Sequence, residues 1–285
     1  MPLAFSIFCR KENSFVVSKY IQENFSSDYY FNDNYNENRR CDHYYEFWLF
    51  LNYIHTKNND SMKIYKRILE SYNNEAFSNS YDMHTNEFEV RATAFGGICA
   101  YFINDDSVLI NASNYLIRVF DYNNENSKFH FIFDRNFNPV LFNKKQLEKL
   151  YFFYNEQVTP LYYSFYLASI CLALTFLISR EIQYIKYAEK YYNCLLLSDS
   201  VKYNSYSGKL GIASALLSNI TRNQYYRKNA NDIKNYISIT QSDMKNIKNN
   251  IINIDRTSEF SISIYIIESL LSSRIYLKGN PRWIR

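Results

Sequence analysis

The stretch LYYSFYLASICLALTFLIS, residues 161–179, runs for nineteen residues without a charge, and EIQYIKYAEKYY, residues 181–192, follows it with charged and aromatic residues on helical spacing. Two readings compete for the first segment. Its length meets the requirement of a membrane span. Yet Tyr162, Tyr163, Ser164, Tyr166, Ser169 and Thr175 interrupt it, and no second segment of the kind occurs. A helix that is apolar all round because it lies in the middle of a protein satisfies the same pattern. That reading decides the fold: a central apolar helix is followed by an amphipathic one that covers it.

The same couplet recurs on both sides. Asp42–Thr56 is followed by Asp60–Tyr72, Glu89–Ile103 by Val108–Phe120, Pro160–Ser179 by Glu181–Leu197, and Ser207–Ile220 by Tyr225–Ser238, with Glu259–Leu277 closing the series. First members are apolar and rich in small residues (ATAFGGICAYF, LASICLALTFLI, GKLGIASALL); second members carry the charge (MKIYKRILE, IQYIKYAEKYY, NDIKNYI). First members start near residues 42, 89, 160, 207 and 259. The separations, about 47, 71, 47 and 52, match the period of helical-hairpin repeats. The 71 contains KFHFIFDRNFNPVL, residues 128–141, in which Phe129, Phe131 and Phe133 alternate with His130, Ile132 and Asp134. This insertion reads as a short β-hairpin or strand, serving either as a lid or as a filler of a gap.

The expected class is therefore all-α: antiparallel helical hairpins in one domain, residues 1–285, with one short β insertion near 128–141. Residues 1–40 contribute a helix over Ser14–Asn24 and an Asn-rich loop. Four Pro and five Gly are too few for the turns of a β-sandwich or barrel. Gly96-Gly97 and Gly208 with Gly211 sit in the first turns of apolar helices, where helix propensity disfavours each by roughly 1 kcal/mol. They serve close packing or leave room for a ligand.

Charge excludes some functions. The 32 Lys plus Arg and 28 Asp plus Glu give +4 with the signs interleaved, unlike the basic stripe of a nucleic-acid surface. The basic tail Lys278–Arg285 is short and reads as a solvated end. Cys9, Cys41, Cys99, Cys171 and Cys194 are odd in number and form no CxxC, so a reducing, cytoplasmic setting is expected. Residues 2–9 are apolar but lack a leading basic region and a small-residue cleavage site, which argues against a signal peptide. Much of the Tyr, Asn, Ile, Lys and Phe excess is a habit of A/T-rich codons.

Tyr206-Ser207-Gly208-Lys209-Leu210-Gly211-Ile212-Ala213-Ser214-Ala215-Leu216, a polar turn, a glycine and then an apolar helix, resembles the inner-helix starts of α/α-toroid proteins. These are the terpenoid cyclase and protein prenyltransferase group, the lanthionine synthetase cyclases and the sugar-processing (α/α)-barrel enzymes. The likeness covers residues 42–277. It implies a ring of hairpins around a central cavity and an activity of the cyclase, epimerase, lyase or glycosidase type. The chain has no QxxDGxW repeat, no DxDD, no DDxxD spacing after Asn104-Asp105-Asp106, and no Cys with Cys-His set. Neither magnesium nor zinc is implied.

In such a ring the inner helices begin at one rim, so the polar residues ahead of each apolar run, Glu87 and Ser207 among them, converge there. Asp42, His43, Glu46, Glu89, Tyr163 and Tyr206 are the candidate acids and bases, and Arg91, Tyr162, Lys209 and Glu259 the candidate binding groups. His43 and Glu46 stand one turn apart, where a carboxylate raises imidazole basicity; Asp42 and Glu46 also serve as a cap and a first-turn acid. Glu87-Phe88-Glu89-Val90-Arg91 also reads as a cap with an ion pair, its two acids on different helix faces. Arg91 suits a carboxylate or phosphate, and Lys209 either binds or snorkels. His55, His84 and His130 have no metal-ligand partner spacing, and no GxGxxG, GxxxxGK[ST] or GxSxG occurs. The expected ligand is a small or oligomeric polar molecule, without metal or cofactor. The alternatives are a helical-repeat protein with a peptide groove and no catalysis, and a protein anchored in a membrane by residues 161–179.

Overall fold

The computed structural model describes residues 26–27, 30–31, 44–57, 59–78, 87–124, 128–140, 152–153, 162–194, 203, 207–245 and 251–272. For 44–46, 48, 55–56, 128, 162–163, 241–245, 251–260 and the residues of the two ladders' outer strands (26–27, 30–31, 152–153), it describes the backbone alone. The helices are α1 (Tyr44–Thr56), α2 (Ser61–Leu69), α3 (Val90–Ile103), α4 (Asp106–Asn124), α5 (Tyr162–Ser179), α6 (Ile182–Asn193), α7 (Ser207–Thr221), α8 (Gln224–Lys245) and α9 (Ile251–Ser272). The strands are two-residue pieces: β1 (Ser26–Ser27), β2 (Tyr30–Phe31), β3 (Phe88–Glu89), β4 (Lys128–Phe129), β5 (Ile132–Phe133) and β6 (Phe152–Phe153). The protein is all-α, built from antiparallel helical hairpins with a short β insertion.

Each hairpin pairs an apolar helix with an amphipathic one, α3 with α4, α5 with α6, α7 with α8 and, at the start, α1 with α2. The apolar members also pack on one another in sequence, α1 on α3, α3 on α5, α5 on α7 and α7 on α9. They form an inner row covered by the others. Burial follows: in α5 every described side chain from Ser164 to Thr175 is buried, whereas α6 buries only Tyr184, Ile185, Ala188, Tyr191 and Tyr192. The uncharged segment is thus a core helix. Among the described residues, no helix is long and apolar enough to cross a membrane.

One turn closes the three later hairpins. Asn104, Arg180 and Arg222 follow α3, α5 and α7 with φ of 66°, 63° and 61°, and one further residue leads into the next helix. A left-handed residue after a helix lets the following N–H groups return to its last carbonyls: Asp105 N–H donates to Ala100 O, and Arg222 N–H to Ser218 O. Asp105 then caps α4 by accepting from Val108 N–H at 3.2 Å. Lys57, φ 56°, stands in the same place after α1.

These turns set the helix directions. Within a hairpin the two helices are antiparallel. Tyr184 and Tyr187 of α6 donate to Asn114 and Asp121 of α4, so both helices advance together. Tyr226 and Asn229 of α8 likewise bond Glu189 and Tyr192 of α6. It follows that α3, α5 and α7 run the same way. α9 continues them, since Gly208 faces Ser263 and Gly211 faces Ile267.

The glycines serve packing. A Cβ on Gly96 would enter the Phe77 ring, one on Gly97 the Cys171 thiol, and ones on Gly208 and Gly211 the side chains of Ser263 and Ile267. Gly96-Gly97 stands in the middle of α3, not at its start. Polar pairs inside the core are satisfied locally, as where Ser113 Oγ and Thr175 Oγ1 lie 2.6 Å apart.

The insertion differs from a hairpin. β4 pairs with β6, and β5 with β3 ahead of α3, each antiparallel. Alternation was the right signal for strands, but the pairing partners are distant in sequence and invisible to a local pattern. Nor does the segment form a loose lid. Phe129, Phe131 and Phe133 are buried, and Phe129 and Phe131 pack on Phe165 at 4.6 and 5.1 Å between centroids. Arg118 lies 4.0 Å above the Phe137 ring and bonds Glu75 at 2.8 Å, tying the insertion to the loop after α2. Two further boundaries move. α4 starts at Asp106 because Asp105 caps it, and α9 starts at Ile251, which puts Glu259 inside the helix.

Candidate functional site

Among the described residues, Glu89 and Arg91 lie at the start of α3 and Lys209 at the start of α7, while Arg67, also buried, lies in the last turn of α2. β3 carries Glu89 into α3. Glu89 is held extended by pairing with Ile132 of β5, and the next N–H, that of Val90, donates to Phe131 O at 2.9 Å. The insertion therefore satisfies one of the N–H groups that a helix start leaves without an internal partner. Across this junction the guanidinium of Arg91 grips the Glu89 carboxylate with both edges matched, Nε to Oε1 at 3.0 Å and Nη2 to Oε2 at 3.1 Å. Side-chain exposure is 13% for Arg91 and 4% for Glu89. A bidentate pair this sheltered is strong and fixes the orientation of both groups.

Lys209 occupies the corresponding place on α7. It lies thirteen residues before the left-handed Arg222 (222 − 209), as Arg91 lies thirteen before Asn104 (104 − 91). The residue at that position on α5 is Leu167. Lys209 is 3% exposed and does not snorkel to the surface. Helical periodicity puts Arg91, Ala94 and Ile98 on one stripe of α3, Leu167, Ile170 and Leu174 on the matching stripe of α5, and Lys209, Ile212 and Leu216 on that of α7. The stripe is turned away from the residues that meet the outer helices, such as Gly97 toward Ala112 and Gly211 toward Ile233. It is an aliphatic wall with two cations at one end.

Of the sequence candidates, Glu89 and Arg91 are brought into contact, and Lys209 stands on the same face two inner helices away. Tyr162 and Tyr163 open α5, Glu46 lies in the first turn of α1, and Glu259 lies inside α9, all described by backbone alone. Asp42, His43 and Tyr206 lie outside the described residues, as do Cys9, Cys41, His84, the expected helix at 14–24 and the tail 278–285. Among the described residues no group of three or more His, Cys, Asp or Glu is arranged to hold a metal ion.

Sequence reasoning passed over Ser164 as a site residue, whereas Ser207 stood among the polar residues expected at the rim. Both are buried in the first turns of inner helices. A hydroxyl at the start of an apolar run was the available signal. Among the described residues Ser164 Oγ has no hydrogen-bond partner.

The other nucleophiles in the core are held inert. Burial pushes the Cys171 thiol up to about 12, and burial with the nearby Cys171 raises Cys99 well above its ordinary value. Neither supplies a thiolate near neutral pH. Burial likewise raises Tyr191 well above the usual phenol range and pushes Tyr192 up to about 12. Tyr192 lies 2.6 Å from Ser214 Oγ and accepts from Asn229 at 3.2 Å, so its hydroxyl is engaged in packing α6 against α7 and α8. A scan against protein-family models finds no match to this chain, and comparisons with curated proteins and with solved structures return none either.

Proposed function

We propose that the chain is an enzyme of the α/α-toroid kind, working in the cytoplasm by acid-base chemistry on a small or oligomeric polar substrate at the end where the inner helices begin. One observation carries this reading: Lys209 and Glu89 are buried, and Arg91 is sheltered against Glu89, at the starts of two inner helices that run the same way. Charged side chains are almost never fully buried unless they are paired, as Glu89 is with Arg91, and removing an ion from water costs several kcal/mol even after relaxation. Packing alone is served at that position by leucine, as Leu167 demonstrates. In the proposed site the Glu89 carboxylate accepts a proton, Arg91 fixes its orientation, and Lys209 stabilises negative charge developing on the substrate. Asp42, His43, Glu46, Tyr163 and Tyr206 are proposed as further proton-transfer groups, and Tyr162 and Glu259 as binding groups.

The test is untargeted conversion of a metabolite extract followed by mass spectrometry, with Glu89→Gln and Lys209→Met as controls. A conversion present with the native chain and lost in both variants supports the proposal. Conversions unaltered in both variants refute the site.

The order of helix packing supports a second reading, a helical-repeat binding protein without catalysis. The inner helices contact one another along a row, and α9 packs extensively on α7 and α8. With roughly 10 Å between neighbouring axes, five helices in an open row span about 40 Å, and a closed ring brings the first and last within about 20 Å. Spin labels at Lys57 and Tyr265, both exposed, measure which holds.

A further inference from the structure

We infer that the tip of the insertion covers a site for a small aromatic carboxylate, whose ring takes the place of Phe137 and whose charged group is held by Arg118 and the Tyr115 hydroxyl. The inference does not depend on the acid-base reading above.

The Phe137 ring sits inside a box of side chains. Phe133 stacks on it at 4.6 Å between centroids and 13°, and Arg118 lies 4.0 Å above it, so these two take opposite faces. Tyr115 and Tyr122 meet it near the perpendicular, at 5.8 and 5.9 Å. The box opens to solvent, since Tyr122 is 37% exposed, the Arg118 side chain 47%, and Phe137 half-buried. Two features mark Phe137 as an imperfect occupant. Its φ of 64° lies in the left-handed region, where a bulky residue is an outlier. Tyr115 is 4% exposed, and among the described residues its hydroxyl has no hydrogen-bond partner, a costly condition for a buried polar group. Burial raises the Tyr115 phenol above its usual range, Arg118 opposes the rise, and Glu75 and Asp134 add to it. The charges acting on the hydroxyl are thus those around the box.

The chemistry of these groups selects the ligand. Phe137 itself shows that a six-membered ring fits between Phe133 and the guanidinium. A ring alone leaves the Tyr115 hydroxyl as bare as Phe137 does. A carboxylate accepts from the hydroxyl and from the guanidinium together, and bonds to an ionised group are the strong ones. Arg118 is open to that exchange. Its bond to Glu75, through Nη2 at 2.8 Å, joins side chains 47% and 57% exposed, and surface pairs contribute little. Nor does the exchange require the tip to unfold. Asp134 Oδ1 accepts from the N–H groups of Asn136 and Asn138 at 2.8 Å each, which holds the backbone while the Phe137 side chain rotates out.

Isothermal titration of the full chain with phenylacetate tests the inference, with benzyl alcohol as a ring without charge and acetate as charge without a ring. Phe137→Asn, which empties the box and suits a left-handed backbone, is titrated alongside Tyr115→Phe and Arg118→Gln. The expected result is that the native chain binds phenylacetate and that Phe137→Asn binds it about tenfold more tightly. Tyr115→Phe and Arg118→Gln each weaken it about tenfold, and benzyl alcohol and acetate bind at least tenfold more weakly than phenylacetate. Because the Tyr115 hydroxyl makes no internal bond, Tyr115→Phe is expected to melt no lower than the native chain, so lost affinity is not lost folding. Failure of the native chain to bind phenylacetate overturns the inference, even where Phe137→Asn binds it, since that variant then offers an engineered hole only. Equal affinity for benzyl alcohol overturns it too, as does unchanged affinity in both Tyr115→Phe and Arg118→Gln.

Discussion

Where α3, α5 and α7 end, two residues turn the chain each time, the first of them left-handed; where α3 and α5 begin, strands and aromatic rings from distant parts of the chain meet them, and Glu89 and Lys209 are buried at the starts of α3 and α7. The tight end is repetitive and local. Its geometry follows from a helix stop and a cap within a few residues of each other. The opposite end is held by contacts distant in sequence, such as β3 on β5 and Phe165 on Phe129 and Phe131. Repetition at one end leaves the other free to differ between hairpins, and the residues thirteen before the turns, Arg91, Leu167 and Lys209, show such differences at a constant position.

The largest expected effect is alkaline collapse of the end where the inner helices begin. Tyr192 is pushed up to about 12, and Tyr191 is raised further by its burial. A raised phenol value means that the folded chain holds the proton more tightly than the unfolded chain. This contribution to stability is complete below the unfolded value near 10 and is lost as pH rises toward about 12. Absorbance of phenolate near 295 nm and loss of helical dichroism are expected to rise together above about pH 10. Tyrosines that ionise fully before the helix signal changes would contradict the burial of Tyr191 and Tyr192.

Next comes Phe131→Ala, which removes a fully buried ring from the junction of the insertion with α5 and is expected to cost about 3–5 kcal/mol in urea unfolding. A loss under about 1 kcal/mol would mean that the insertion behaves as a detachable lid. Arg91→Ala leaves the sheltered Glu89 carboxylate without its counter-ion and is expected to cost about 3 kcal/mol. Adding Glu89→Gln should return part of that loss in a double-mutant cycle. At the tight end the expected effect is small and opposite in sign. Arg222→Gly relieves a left-handed residue of its Cβ and should stabilise by up to about 1 kcal/mol, a rise of a few degrees or less in melting temperature.

What was legible in the sequence divides along the same line. Helix pairing could be read because the uncharged run at 161–179 and the charged run after it report their own burial by periodicity alone. The tight turns were partly legible. Asn104-Asp105 and Arg222-Asn223 bear turn and cap residues, but nothing in Arg180-Glu181 announces a left-handed conformation. The strand partners were not legible, because Phe88 and Phe133 meet only after α3 and α4 have folded back. At the candidate site Arg91 and Lys209 stood out as charges inside apolar runs. Ser164 did not, since one serine among several in an apolar helix carries no local mark; only its missing partner distinguishes it.

Hydrogen–deuterium exchange of the full chain, native and Phe131→Ala, tests the contrast between the two ends most directly. The expected result is faster exchange in the variant confined to 88–92, 129–133 and 163–168, with the amides around Asn104, Arg180 and Arg222 unchanged. Acceleration centred on those turns instead, or spread evenly over the helices, would contradict an end held by contacts distant in sequence.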